Sequence, residues 1–258
     1  MSELRFALPK GSLEKNTAKF LDRAGLRSAG YADGSRSYRP KLDLEGVSVK
    51  MLRPQEIPYM LGAGFYDVGI SGLDWYLESE CQANVEDLLD LGFGRVNIVL
   101  AVPDTWEDVN SAEDLFHKFV DSTGSHPLRL WTEYLNLTGS LVRQHTDLEP
   151  SLYTPYARLH VERRASSPVA IFHSFGATES KPPEDGDAII DNTETGNTLR
   201  ANGLKIIHRV LADSTARLLV NRRALRHRDK APLIEKIREA FASAAPKARD
   251  EEVVFGHV

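Results

Sequence analysis

The sequence holds a single cysteine, Cys81. One thiol cannot close an internal disulfide, and no cysteine-rich metal cluster can form around it. That scarcity suits a reducing compartment, and the expected location is the cytoplasm. No stretch is long and apolar enough to span a bilayer, and the N-terminus carries no apolar signal run. A membrane partner is therefore not expected. Positive charge is also short: 32 lysines and arginines face 37 aspartates and glutamates, a net charge of −5. Non-specific nucleic-acid binding favours strongly basic surfaces, so a nucleic-acid partner is not expected either. His160 and His173 stand at no metal-ligand spacing with any partner and read as structural or surface histidines. Internal repeats and low-complexity segments are missing.

What is present is an ordinary globular balance. Of 258 residues, 41% are hydrophobic and 27% charged, enough for one large domain or two small ones. The chain is organised around residues 187–204, DAIIDNTETGNTLRANGL. Residues 188–190 are a short β-branched run, the end of a buried strand. Asp191 and Glu194 follow, then Thr195, Gly196, Asn197 and Thr198. Residues 199–204 make a helical turn that begins at Leu199 and is closed by Asn202-Gly203. Strand, polar loop, helix start is the place where α/β proteins bind ligands. Hydroxyls, an amide and successive backbone N–H groups suit a phosphate, and Gly196 lets the backbone come close. Carboxylates repel phosphate, so Asp191 and Glu194 point to ribose hydroxyls or to a metal carried by the ligand. The residues alone leave a second reading, a polar turn in which Thr195 or Asn197 caps an ordinary helix.

The stretch resembles the signature of the ATP phosphoribosyltransferase family, which opens histidine biosynthesis: an Asp, a Thr-Gly-x-Thr-Leu loop and an Asn-Gly-Leu, in that order. Four further blocks agree, LPKGSL at 8–13, DVGISGLDW at 67–75, LDLGFGRVNIVLAVP at 89–103 and TEYLNLT at 132–138. All five stand in the family's order and span about residues 4–207. The resemblance implies an α/β, two-lobed fold like that of periplasmic binding proteins, each lobe a mostly parallel sheet flanked by helices. It implies that Asp191 and Glu194 hold the ribose of phosphoribosyl pyrophosphate, and that Thr195, Gly196, Asn197, Thr198 and Leu199 hold its 5′-phosphate. It implies an ATP site at Lys10, Gly11, Gly72, Leu73, Asp74 and Glu133, with Arg53 and Lys10 serving catalysis. The segment SFGATES at 174–180 departs from the Gly-Ser-Val-Glu-like pattern usual there, which leaves Glu179 without a firm counterpart.

Taken in order, residues 4–8 predict a strand, broken by Pro9, Lys10 and Gly11, and 13–24 a helix closed by Gly25. Lys10 is then a solvated lysine or a cation for phosphate oxygens at a sheet edge, and the resemblance selects the second. Residues 30–41, with Arg36 and Arg39, read as a loop. Residues 47–52 are a strand leading to Arg53, a solvated arginine or, by resemblance, one presented to substrate phosphates, in some members across a subunit contact. A short element at 55–57 lies between Pro54 and Pro58, and 60–64 end a small helix. Residues 67–70 predict a strand, and Leu73, Asp74 and Trp75 start a helix that Asp74 could cap. Strands are expected at 97–102, 128–132, 159–164, 169–172, 205–211 and 216–221, and helices at 111–120, 136–144 and 229–245. Alternating strands and helices indicate a parallel α/β sheet. The expected division is a lobe of 1–103 with about 205–245, a second lobe of 104–204, and a tail of 246–258, which is a strand stub or a disordered end.

The resemblance implies joining of adenine N1 of ATP to C1′ of phosphoribosyl pyrophosphate, with Mg2+ carried on the pyrophosphate. Rival readings are a two-lobed solute-binding protein and a non-catalytic assembly subunit. Long members carry a C-terminal, histidine-binding regulatory domain. The tail is too short to build one, so the chain is expected to be a short-form catalytic subunit insensitive to histidine on its own. The expected partners are its own copies, at least as a dimer, and a regulatory subunit similar to histidyl-tRNA synthetase.

Overall fold

The structure, a computed structural model, describes residues 3–32, 34, 37–120, 126–154 and 167–246. The predicted strand at 159–164, His160, Arg36 and nearly all of the 246–258 tail lie outside the described residues. The chain divides into two compact units.

The first unit comprises Met1–Ser71, Asn84–Phe93 and Ala216–Val258. Its sheet is built from β1 (Leu4–Pro9), β4 (Val47–Leu52), β5 (Val68–Gly72, whose last residue passes to the second unit), β6 (Val85–Asp90) and β13 (Ala216–Asn221), in the order β4-β1-β5-β13-β6. β1 pairs in parallel with β4 and β5, and β13 pairs antiparallel with β6. A small pair, β2 (Ser28–Ala29) and β3 (Lys41–Leu42), stands apart. Helix α1 (Glu14–Arg23) packs by its apolar stripe, with Phe20 and Leu21 buried. Phe20 meets Phe241 of α8 (Ala231–Ala244) edge to face at 5.1 Å, and Phe6 of β1 completes the cluster. The short elements predicted around Pro54 and Pro58 are one helix, α2 (Ile57–Gly62), with Pro58 in its first turn, where a missing N–H costs nothing. A one-turn helix, α7 (Arg222–Leu225), follows β13.

The second unit comprises Gly72–Ala83 and Gly94–Thr215. Its six strands are β7 (Val96–Pro103), β8 (Leu128–Thr132), β9 (Ser151–Tyr153), β10 (Val169–His173), β11 (Ala188–Thr193) and β12 (Leu204–Ser214), in the order β12-β7-β11-β8-β10-β9. β8, β9, β10 and β11 run parallel, while β7 lies antiparallel to both β11 and β12. This pairing corrects the expected division. Residues 96–103 and 204–214 belong to the second unit because β7 and β12 are ladder partners there, and α3 (Leu73–Glu78) goes with them. β7 is buried on both faces, which explains its unbroken apolar run. On one face Ile98, Leu100 and Val102 pack with α4 (Ala112–Val120) and α5 (Leu135–Thr146). On the other, Val99 and Ala101 meet Leu199 of α6 (Asn197–Ala201). α4 starts as its sequence predicts: the Asp114 N–H donates to Ser111 Oγ at 3.1 Å and the Ser111 N–H donates back to Asp114 Oδ2 at 2.9 Å.

One arrangement occurs in both units. In the first, the Arg5 N–H donates to Asp67 Oδ2 at 2.8 Å, the Asp67 N–H to the Arg5 carbonyl at 2.9 Å, and the Arg5 guanidinium to Asp67 and the Gly64 carbonyl. In the second, the Arg129 N–H donates to Asp187 Oδ2 at 2.8 Å, the Asp187 N–H to the Arg129 carbonyl at 3.0 Å, and the guanidinium to Asp187 and the Glu184 carbonyl. The strand register after each pair is the same, Phe6 opposite Val68 and Leu130 opposite Ala188.

Candidate active site

The organising stretch lies in the second unit as strand, turn and helix. β11 runs further than its apolar residues suggest: Asp191, Asn192 and Thr193 still pair with Val99, Ile98 and Asn97 of β7. Asp191 is thus held by a strand end rather than by a loop. The chain then reverses at Gly196, whose φ of 74° is the left-handed conformation that glycine adopts without strain. The Gly196 N–H donates to Thr193 Oγ1 at 2.8 Å, closing the turn, and Leu199 anchors α6 in the apolar face behind it.

A pocket of about 360 Å³ opens there, lined by Asp191, Asn192, Thr193, Glu194, Thr195, Asn197, Thr198, Leu199 and Glu179. Every residue predicted for the phosphoribosyl group lines it except Gly196, which forms the turn beneath. Glu179, left open by the sequence, is on its wall. Burial, with the carboxylates of Glu133 and Glu179 adding repulsion, pushes the Asp191 carboxyl up to about 7. Its Oδ1 accepts the Asn192 N–H at 2.7 Å. The pocket therefore combines the carboxylates of Asp191, Glu194 and Glu179 with the hydroxyls and amides of its other lining residues.

Behind it lies a buried network. Gly72 precedes α3, and a side chain there would run into Asp74 Oδ1. The Leu73 N–H donates to the Thr215 carbonyl at 2.9 Å. Asp74, predicted to face the nucleotide or to cap α3, is 4% exposed. Its Oδ2 accepts from the Tyr134 hydroxyl at 2.8 Å and its Oδ1 from Ser214 Oγ at 2.7 Å. Burial raises its pKa against these two hydrogen bonds. Trp75 stacks on Tyr134 at 4.3 Å, and Glu133, the neighbour of Tyr134, stands at the end of β8. Asp74 is thus held between Tyr134 and Ser214, at the end of β12. No motif statistic could separate a buried acceptor from a ligand contact at that position.

The predicted cations belong to the first unit. Lys10 follows β1 and Arg53 follows β4, parallel neighbours, so both stand at the carboxyl edge of that sheet. Lys10 Nζ lies 4.0 Å from the Tyr38 ring centroid. Gly11 has φ 94°, and a Cβ there would sit 3.2 Å from Arg53 Nη1. The glycine thus leaves Arg53 room beside the turn. Among the described residues no group of three or more His, Cys, Asp or Glu side chains is arranged to hold a metal ion. No helix among them is long and apolar enough to cross a membrane.

Residues 53–243 match the family model for ATP phosphoribosyltransferase. The chain belongs to the ATP phosphoribosyltransferase family. Over 224 residues it is 34% identical to the ATP phosphoribosyltransferase of Prosthecochloris aestuarii, covering 85% of this chain. The chain spans 64% of the length of that relative. Among solved structures it is similar to the ATP phosphoribosyl transferase (HisG:HisZ) complex of Thermotoga maritima, with a TM-score of 0.66 at 21% identity, covering 93% of this chain and 98% of that one. It is also similar in fold to the periplasmic aliphatic sulphonate binding protein of Escherichia coli, TM-score 0.51 at 13% identity, covering 95% of this chain and 72% of that one. The two-lobe α/β fold is therefore that of the family and of periplasmic binding proteins alike, and only the family match separates an ATP phosphoribosyltransferase from a solute-binding protein.

Proposed function

We propose that the chain joins ATP to phosphoribosyl pyrophosphate. Adenine N1 supplies a lone pair to C1′, the C1′–O bond breaks, and pyrophosphate leaves with its electrons. The observation that carries this reading is the pocket at 191–199 in a member of this family, whose lining combines carboxylates with hydroxyl and amide groups. Asp191 and Glu194 accept from the ribose hydroxyls, which fixes C1′ for attack. Thr195, Asn197, Thr198 and the turn at Gly196 hold the 5′-phosphate. Mg2+ arrives as part of the substrate, on the pyrophosphate, and offsets the charge of the leaving group. Lys10 and Arg53 carry positive charge for the polyphosphates. Gly11, Gly72, Leu73 and Glu133 serve ATP, and Asp74 holds Tyr134, the neighbour of Glu133. No general base is required, because N1 attacks with an unprotonated lone pair.

The Thermotoga maritima structure is a complex of two different proteins. We propose that this chain also works as a homo-oligomer with a second subunit of that kind.

The test is pyrophosphate release from the purified chain given ATP, phosphoribosyl pyrophosphate and Mg2+. Release that needs both substrates is expected, and a folded D191A/E194A variant should lose it. Two charge-assisted hydrogen bonds are worth roughly 1.5–3 kcal/mol each. A folded double variant with near-normal turnover would overturn the assignment of the pocket.

A further inference from the structure

Arg200 was not singled out by its sequence, where it reads as an ordinary surface arginine on a short helix. In the structure its Nη2 donates to the Thr195 carbonyl at 3.0 Å and to Asn197 Oδ1 at 2.6 Å. Among the described residues it has no ion-pair partner. The reach is local: residues one turn apart share a helix face, and side chains lean back toward the helix start.

The position of Arg200 matters. It does not line the pocket at 191–199. It lines a separate hollow of about 520 Å³ with Asp104, Gly196, Leu204, Lys205 and Ile206. Arg200 therefore grips the loop from its far side. Gly196 makes this possible, since a Cβ there would stand 3.0 Å from Arg200 Nη1.

The two atoms that Arg200 engages are both acceptors. A carbonyl or an amide oxygen facing a phosphate would repel it, whereas N–H and O–H groups attract it. Guanidinium has only donors, so the Asn197 atom it meets is the oxygen. With that oxygen occupied, the amide has only its NH2 donor left for the pocket that Asn197 lines. We infer that Arg200 is a positioning residue that occupies the Thr195 carbonyl and the Asn197 amide oxygen, so that these two groups do not face the phosphate and Asn197 turns its NH2 donor toward it. This rests on the phosphoribosyl reading of the pocket. It adds that the selectivity of the turn for an anion is set by a residue which does not touch the anion.

The claim separates from a mere charge effect. Lysine keeps the positive charge but lacks the planar, pre-oriented guanidinium whose Nη2 meets both acceptors. The experiment is calorimetric titration of phosphoribosyl pyrophosphate into the wild-type chain and into R200K, R200A, N197A and R200A/N197A, with thermal midpoints recorded and pyrophosphate release measured alongside. R200A and R200K are both expected to bind about tenfold more weakly, the loss of one hydrogen bond's worth of selectivity. The KM for ATP should stay within about twofold, because that site does not use the turn. The double variant should lose less than the product of the two single losses, since both changes break the Arg200–Asn197 bond, while R200A also frees the Thr195 carbonyl. Wild-type affinity in folded R200A, full affinity in R200K, or strictly multiplicative losses in the double variant would each overturn the inference. If the wild type binds phosphoribosyl pyrophosphate but releases no pyrophosphate with ATP, the transferase reading fails while the affinity ratios still decide the role of Arg200. If the wild type does not bind it at all, both fall.

Discussion

At the scale of single residues, the decisive group is Asp191. In an unfolded chain its carboxyl titrates near 4, as ordinary aspartates do. In the folded chain burial holds it at about 7. Between those values the folded state carries the extra proton, so this contribution to stability is fully present at low pH and is lost as pH rises through about 7. The ligand site is therefore held at a cost to the free protein near neutral pH. D191N removes the titration and keeps an oxygen for the Asn192 N–H. Its thermal midpoint should match the wild type below about pH 4, begin to exceed it above that, and exceed it fully at pH 8, by about 2–4 °C for each kcal/mol gained. Binding of phosphoribosyl pyrophosphate should be lost in exchange. Parallel melting curves across that pH range would show that Asp191 is not strained by its surroundings. The same scale shows what the sequence could disclose. Gly196 was legible as the point where the backbone can come close to a ligand, while its left-handed φ belongs to the structure alone. Arg200 was not, although its partners are three and five residues away, because an exposed helical arginine has no distinguishing neighbours in a string of letters.

At the scale of elements, apolar runs announced β1, β7 and β13, which are buried almost throughout, while β4 and β8 showed through alternation of apolar and polar residues. β6 escaped notice. Its sequence, VEDLLD, is acidic, and it lies at the edge of its sheet. Glu86, Asp87 and Asp90 are matched by Arg217 and Arg222 across β13, a fact that exists only once the two strands are paired. β9, three residues on the opposite sheet's edge, had too little pattern to read. Helix α5 shows a further long-range effect. It has no side-chain cap of its own; instead Glu78, at the end of α3, accepts the N–H groups of Asn136 at 2.9 Å and Leu137 at 3.0 Å. Burial pushes that carboxyl up to about 7 against those hydrogen bonds. E78A should cost about 1 kcal/mol, as the loss of a helix cap does. Amide exchange at Asn136 and Leu137 should quicken beyond the global change. Exchange that tracks overall stability alone would mean that Glu78 does not hold this helix start.

At the scale of the whole molecule, the twin Arg–Asp pairs show a repeat that the sequence conceals. Arg5 with Asp67 and Arg129 with Asp187 occupy equivalent strand positions, each arginine after a leucine and each aspartate before an apolar residue, a pattern too short to show as a repeat in the sequence. The expectation of two lobes came from the family resemblance. Their boundaries went astray where ladder pairing, rather than sequence proximity, decides membership. The strand order of the first unit has a further consequence, for synthesis on the ribosome. Domains commonly complete themselves in the order in which they are made. Here β13 is inserted between β5 and β6, so the unit that contains the first residues cannot close its sheet until Asn221 has been made. The second unit needs nothing beyond Thr215. Protease protection of stalled nascent chains should therefore appear first in peptides from 94–120 and 167–214, and only later in those from 4–52. Protection that spreads from the N-terminus would contradict this order. Until β13 emerges, the exposed edges of β5 and β6 must wait unpaired, which makes the interval between those two moments the one in which a growing chain is most open to capture by a chaperone or by another nascent copy.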